Sequence, residues 1–187
     1  MRVIAGSSKG THLAPVPRGV RPVSDRAREG LFSSLAGQVP GSRVLDLYAG
    51  TGALAIEALS RGAAGATLVE RDARARRAIS ENLARTRLAD RARLVGEDAL
   101  RFVARPEHSG GPFDLVFLDP PYAAAKGELA DVLAGVSANL LAGDAWTVAV
   151  TRPRANPTLV VPVHWRVARR LEYGDSLVIC YREAEGG

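Results

Sequence analysis

The chain has 187 residues, which fits one domain with a sizeable core. Hydrophobic residues make up 47% and charged residues 24%, and no apolar run approaches the roughly 18–20 residues of a membrane span. The net charge is +5; Met1-Arg2 opens no signal-peptide core, and a single cysteine, Cys180, excludes a disulfide framework and a cysteine-cluster zinc site, so a cytoplasmic protein is expected.

Residues 1–23 carry Arg2, Lys9, Arg18 and Arg21 and no acid, a net +4 that leaves only +1 for everything after them. A basic terminal segment on a near-neutral body suits a polyanionic partner. Gly6, Gly10, Pro15, Pro17, Gly19 and Pro22 rule out a helix there. Residues 1–23 are therefore expected to form a short hairpin or arm outside a main domain of residues 24–187, removable without loss of the fold. The competing expectation is a hairpin that packs on the sheet and stabilises it.

Ser24 is a good N-cap for a helix running to about Ala36, with Leu31, Phe32 and Leu35 on its apolar face. Val44–Tyr48 reads as a buried strand, Ala53–Arg61 as a helix ended by Gly62, and Ala66–Glu70 as a second strand. Asp72 caps a helix with Ala75, Ile79 and Leu83 along one face. A short strand at Arg93–Val95 and a short helix through Leu100 and Val103 follow. Phe113–Leu118 is nearly all apolar, as expected of a strand covered on both faces. Leu129, Val132, Leu133, Val136 and Leu140 stripe the next helix, Gly143 stops it, and Trp146–Val150 is a fifth strand. Pro153, Pro157 and Pro162 leave no room for a long crossover helix. His164–Tyr173 and Leu177–Arg182 then read as an antiparallel hairpin turning at Gly174-Asp175. The pattern is an α/β fold: a parallel sheet with helices on both faces, closed by one antiparallel pair.

Three strand ends carry the chemistry. Asp46-Leu47-Tyr48-Ala49-Gly50-Thr51-Gly52 closes the first strand. Gly50 and Gly52 allow a tight turn and bring a ligand to backbone N–H groups at a helix start. Glu70 ends the second strand 20 residues after Gly50, where a carboxylate accepts hydrogen bonds from ribose hydroxyls. Together they point to an adenosine-type cofactor rather than a purely structural turn. Asp98 with Ala99, after the third strand, lies beside the same crevice and fits either an adenine amino group or a helix N-cap.

Asp119-Pro120-Pro121-Tyr122 ends the fourth strand and decides the reaction. The exocyclic amine of a base is a poor nucleophile because its lone pair is delocalised into the ring. The Asp119 carboxylate and the Pro120 carbonyl can accept from its two N–H groups, localise the lone pair and aim it at an electrophilic methyl. Tandem prolines fix these acceptors, and Tyr122 can stack on a flipped-out base. His12, His108 and His164 show no metal-ligand spacing, and neither a Gly-x-Ser-x-Gly nor a Gly-Lys-Ser/Thr motif is present. Cys180 reads as a buried structural thiol.

The succession DLYAGTG, LVERD, GEDA and DPPY resembles class I S-adenosylmethionine-dependent methyltransferases that act on amino groups. With RPVSDRAREGLF at 21–32, VLDLYAGTGALAIEALSRGA at 44–63 and YGDS at 173–176, essentially the whole chain resembles the bacterial 16S rRNA guanine-N2 methyltransferases of the RsmD type. The resemblance implies a Rossmann-like, seven-stranded sheet of order 3-2-1-4-5-7-6 with strand 7 antiparallel. It implies S-adenosyl-L-methionine as cofactor and methylation of N2 of one guanine, numbered 966 in the rRNA, within the 30S subunit or its assembly intermediate. Asp46, Gly50 and Gly52 would line the methionine end of the cofactor, Glu70 its ribose, and Asp98 with Ala99 its adenine, with Ala49 and Arg71 among the cofactor contacts. Asp119, Pro120 and Tyr122 would hold the guanine. Arg26 and Arg28 would lie near the cofactor or the RNA, joining Arg2, Lys9, Arg18 and Arg21 as RNA contacts. A monomer with neither metal nor membrane partner is expected.

Two positions depart from the family pattern: Gly30 interrupts the SDRARE helix and Ala27 replaces a larger aliphatic residue, changes expected to soften that helix. Three alternatives stay open. DNA adenine-N6 methyltransferases share DPPY, although this chain has no separate target-recognition domain. A nicotinamide-dependent oxidoreductase would carry a third loop glycine. The last is an RNA-binding assembly factor on a catalytically silent fold.

Overall fold

The computed structural model describes residues 1–14, 23–121 and 126–184. The Ser24 hydroxyl accepts from the Ala27 N–H at 3.2 Å and opens α1 (Asp25–Ser34). Alternating strands and helices follow: β1 (Arg43–Leu47), α2 (Ala53–Ser60), β2 (Gly65–Val69), α3 (Ala73–Thr86), β3 (Ala92–Val95), α4 (Ala99–Val103), β4 (Leu115–Leu118), α5 (Lys126–Asn139) and β5 (Thr147–Pro153). Asp72 and Asp98 cap α3 and α4. The first five strands are parallel neighbours in the order β3-β2-β1-β4-β5. β6 (Trp165–Tyr173) and β7 (Ser176–Glu183) form the expected hairpin, with β7 antiparallel between β5 and β6. The sheet order is 3-2-1-4-5-7-6, as the resemblance implies.

Each face of the sheet has its own core. On one, Phe32, Leu54, Leu59 and Ile79 of α1, α2 and α3 pack over Val44, Phe117, Ala149 and Val178. On the other, Phe102, Leu133 and Val136 of α4 and α5 pack over Leu45, Leu118 and Val150, with the rings of Trp146 and Trp165 5.0 Å apart. Two strand limits differ from the sequence reading by more than one residue. Phe113 belongs to the apolar run but lies before β4, its N–H donating to the Leu140 carbonyl at 2.8 Å. β5 continues past Val150 to Pro153 because β7 supplies antiparallel partners as far as Ser176.

The larger correction concerns the N-terminus. Residues 1–14 are not a free arm. They form a small hairpin bridged at Arg2 and His12, and Val3, Leu13 and Ala14 are buried. The fully buried Glu57 of α2 accepts the N–H groups of Ile4 and Ala5 at 2.8 and 3.0 Å and the Arg61 Nε at 2.7 Å. The Ala14 N–H donates to Asn82 Oδ1 of α3 at 2.6 Å. A buried carboxylate holding two backbone donors fixes the segment in a way that glycine, proline and charge counts do not disclose.

Gly30 also has a long-range cause. A Cβ there would lie 1.5 Å from the Tyr173 hydroxyl, so the turn between β6 and β7 docks on α1 through the space a side chain would fill. The segments SDRARE and YGDS, some 150 residues apart in the chain, thus meet at one contact.

Candidate active site

The C-terminal ends of β1 to β4 lie side by side, and the acids read from the sequence converge there. Asp46 is 1% exposed and accepts the Ala55 N–H at 3.1 Å, in the first turn of α2. Burial pushes its carboxyl up to about 8; the Ala55 bond opposes this, and the charges of Asp119 and Glu70 add to it. Gly52 caps α2 with φ 75, and a Cβ on it would come within 3.0 Å of Leu68, so the loop closes tightly at this point only with glycine. The Ala49 N–H is tied to the Val69 carbonyl at 3.1 Å.

Glu70 Oε2 accepts the Gly50 N–H at 2.9 Å and Oε1 the Asp72 N–H at 2.8 Å. Each oxygen keeps a lone pair for a further donor. Asp98 accepts the Leu100 N–H at 3.0 Å as the cap of α4 and pairs with the exposed Arg71 at 3.3 Å; Ala99 is the buried first residue of that helix. Tyr48 stands at φ 63, an uncommon conformation for a non-glycine residue, and its buried hydroxyl has no hydrogen-bond partner among the described residues.

Asp119, half-buried at the end of β4, is pushed up to about 7 by burial, and the Thr151 hydroxyl of β5 donates to it. Pro120 beside it is buried, and Tyr122 lies outside the described residues. Thr151 was not singled out in the sequence; its signal is its position one residue past Val150, whose partner on β4 is Leu118. Asn82 was also missed. It is fully buried, and its Nδ2 donates to the Thr51 carbonyl at 2.9 Å, so it links the cofactor-type loop to the N-terminal hairpin. A polar residue beside Leu83 on the apolar face of α3 is the clue.

The basic residues divide. Arg2, Lys9 and Arg26 are exposed and line one cleft between the hairpin and the start of α1. Arg28 is not a surface contact. It is fully buried, and its Nη2 donates to the Arg2 carbonyl and to Asp25 Oδ1, both at 2.7 Å. Arg18 and Arg21 lie outside the described residues.

The two raised carboxyls set a pH dependence of stability. In the unfolded chain both lose their protons near pH 4, whereas the folded chain holds them to about 7 and about 8. The folded state therefore binds more protons between pH 4 and 8, and stability falls as pH rises through that window. The cofactor-free protein is expected to melt several degrees lower at pH 8 than at pH 5, and Asp46→Asn to remove much of that slope. Equal melting temperatures at both pH values would contradict the burial of these groups.

Residues 1–182 match the family model described as Conserved hypothetical protein 95. The chain is 39% identical to the ribosomal RNA small subunit methyltransferase D of Escherichia coli K12, over 100% of this chain and 92% of that protein. The chain belongs to the RsmD-type methyltransferase family. Its identity to the Haemophilus influenzae ribosomal RNA small subunit methyltransferase D is 30%, over 97% of this chain and 92% of that one. The solved structure of Escherichia coli yhhF, described as a methyltransferase, superimposes with a TM-score of 0.85 at 35% identity, covering 100% and 99% of the two chains. RsmD-type methyltransferases use S-adenosyl-L-methionine, and the crevice fits it. The charges of Asp119 and Glu70 add to the burial that raises Asp46, and a sulfonium cation bound here would favour the ionised carboxylates.

Proposed function

We propose that this methyltransferase modifies N2 of a guanine of 16S rRNA, the one numbered 966, in the 30S subunit or its assembly intermediate, acting as a cytoplasmic monomer. The observation that carries the reading is Asp119 at the end of β4, held by Thr151 and sharing the crevice with Asp46 and Glu70. The full-length likeness to the ribosomal RNA small subunit methyltransferases D supports the ribosomal substrate.

S-adenosylmethionine, when bound, supplies a methyl group made electrophilic by the sulfonium. Glu70 would accept from its ribose, Asp98 and Ala99 would border its adenine, Asp46 with Gly50 and Gly52 would border its methionine end, and Ala49 and Arg71 would lie alongside. The Asp119 carboxylate accepts one N–H of the guanine amine and the Pro120 carbonyl the other, which turns the nitrogen lone pair out of the ring. Tyr122 stacks on the base. The neutral amine keeps its protons until nitrogen bonds to the methyl carbon and the carbon–sulfur bond breaks. The amine is then strongly acidic and passes one proton to Asp119, whose raised proton affinity suits that role. Arg2, Lys9 and Arg26 meet the phosphates, with Arg18 and Arg21 on the same segment.

The test is incubation with labelled S-adenosylmethionine and, in parallel, naked 16S rRNA, immature 30S subunits and duplex DNA, followed by nucleoside analysis. N2-methylguanosine in the rRNA is the expected product. N6-methyladenine in DNA, or no product with any substrate, would overturn the proposal.

A further inference from the structure

The positive charge of the chain gathers at its two ends: residues 1–23 carry +4 and 152–187 carry +2, while the 128 residues between them sum to −1. The fold brings both ends to α1. The N-terminal hairpin lies against it through the Arg28–Arg2 bond, and the turn between β6 and β7 lies on it through Tyr173 and Gly30. Arg26 joins the two sides. It lines the cleft shared with Arg2 and Lys9 and also a second cleft formed with residues 172–176.

Beyond that second cleft runs β6, the edge strand of the sheet. Arg169 and Arg170 are exposed on it, and among the described residues neither has an acidic partner. They straddle the edge. Arg169 is paired across the strands with Cys180, which belongs to the core under α1, and Arg170 with Ile179, which belongs to the core under α5. The register runs Arg169–Cys180–Ala149–Phe117, two residues before Asp119. Three strand spacings separate β6 from β4, which is about 14 Å.

We propose that the RNA flanking the target guanine passes from the Asp119 crevice over the β6–β7 turn to the β6 edge, where Arg169 and Arg170 hold its phosphates. This surface meets α1 at Gly30, whereas the N-terminal hairpin meets it at Arg28. It rests on the reading of the protein as an rRNA methyltransferase. The ligand is a polyanionic strand rather than a protein edge, because two guanidinium groups without an acidic partner among the described residues repel strand addition and attract phosphate.

The experiment compares Arg169→Ala/Arg170→Ala with the full-length parent and with a control pair, Arg77→Ala/Arg101→Ala, exposed on α3 and α4. The probe is an unmodified 16S rRNA transcript, with affinity measured at several salt concentrations. Each phosphate left without its arginine takes roughly 0.7 from the slope of log K against log salt, so the edge pair should flatten it by up to about 1.4 and weaken binding roughly tenfold at 0.1 M salt. Melting temperature and cofactor affinity should stay at the parent values, and the control pair should change nothing. An unchanged slope, or equal loss in both pairs, overturns the proposal. So does an edge variant that merely aggregates more with its RNA affinity intact, which makes the arginines guards of a free edge. Methylation of the transcript by the parent is scored separately: if the parent methylates rRNA and the edge variant binds unchanged, only the edge proposal fails.

Discussion

Asp119→Ala is expected to lose at least about a hundredfold in single-turnover methyl transfer, since removing one preorganised acceptor of this kind costs on the order of 3 kcal/mol. Cofactor affinity should stay within a few-fold, because Asp46, Glu70 and the Gly50–Gly52 loop are held by other partners: the N–H groups of Ala55, Gly50 and Asp72. The rate of the parent should climb with pH through about 7 as the half-buried Asp119 becomes able to accept. Thr151→Val removes the donor that favours the ionised form, so its rising limb should move to higher pH while the plateau changes little. Single-turnover rates across pH 6 to 9 with saturating cofactor check both. Normal turnover by the alanine variant would remove Asp119 from the mechanism.

Deletion of residues 1–14 is expected to be severe. It takes Val3 and Leu13 out of the core, at roughly 1.5–3 kcal/mol each. It also strips Glu57 of two backbone donors, at roughly 1.5–3 kcal/mol for each bond to a charged group. The sum is a large part of the roughly 5–15 kcal/mol that holds a domain together. At about 2–4 °C per kcal/mol, the truncated chain should melt more than about 10 °C lower or fail to fold. Glu57→Gln, which keeps an acceptor without the charge, should fall between the two. Calorimetry without cofactor checks the series, and an unshifted transition after truncation would restore the free-arm reading.

These two residues mark where the sequence is readable and where it is not. The place of Asp119 at a strand end could be read because its motif is local: an acid and two prolines directly after an apolar strand. The same holds for the caps Ser24, Asp72 and Asp98 and for the sheet, whose apolar runs and intervening helices dictate parallel pairing. Glu57 could not. In sequence it is one acid in a helix of alanines and leucines, indistinguishable from a solvated face, and its role depends on backbone donors more than fifty residues earlier. Gly30 is similar: it looks like a flaw in α1 until Tyr173 is brought against it. Arg28 shows the opposite error. Its charge suggests a surface contact, but the hairpin covers it and turns it into an internal tie.

Methyl transfer to an exocyclic amine held by Asp119 requires that amine on the target base. The most direct measurement replaces the target guanine of a 16S rRNA substrate with inosine, which lacks only that amine, and compares binding and single-turnover transfer for the two RNAs. The inosine substrate should bind about as well and accept no methyl group. Transfer to the inosine substrate at the rate of the guanine substrate would contradict that requirement.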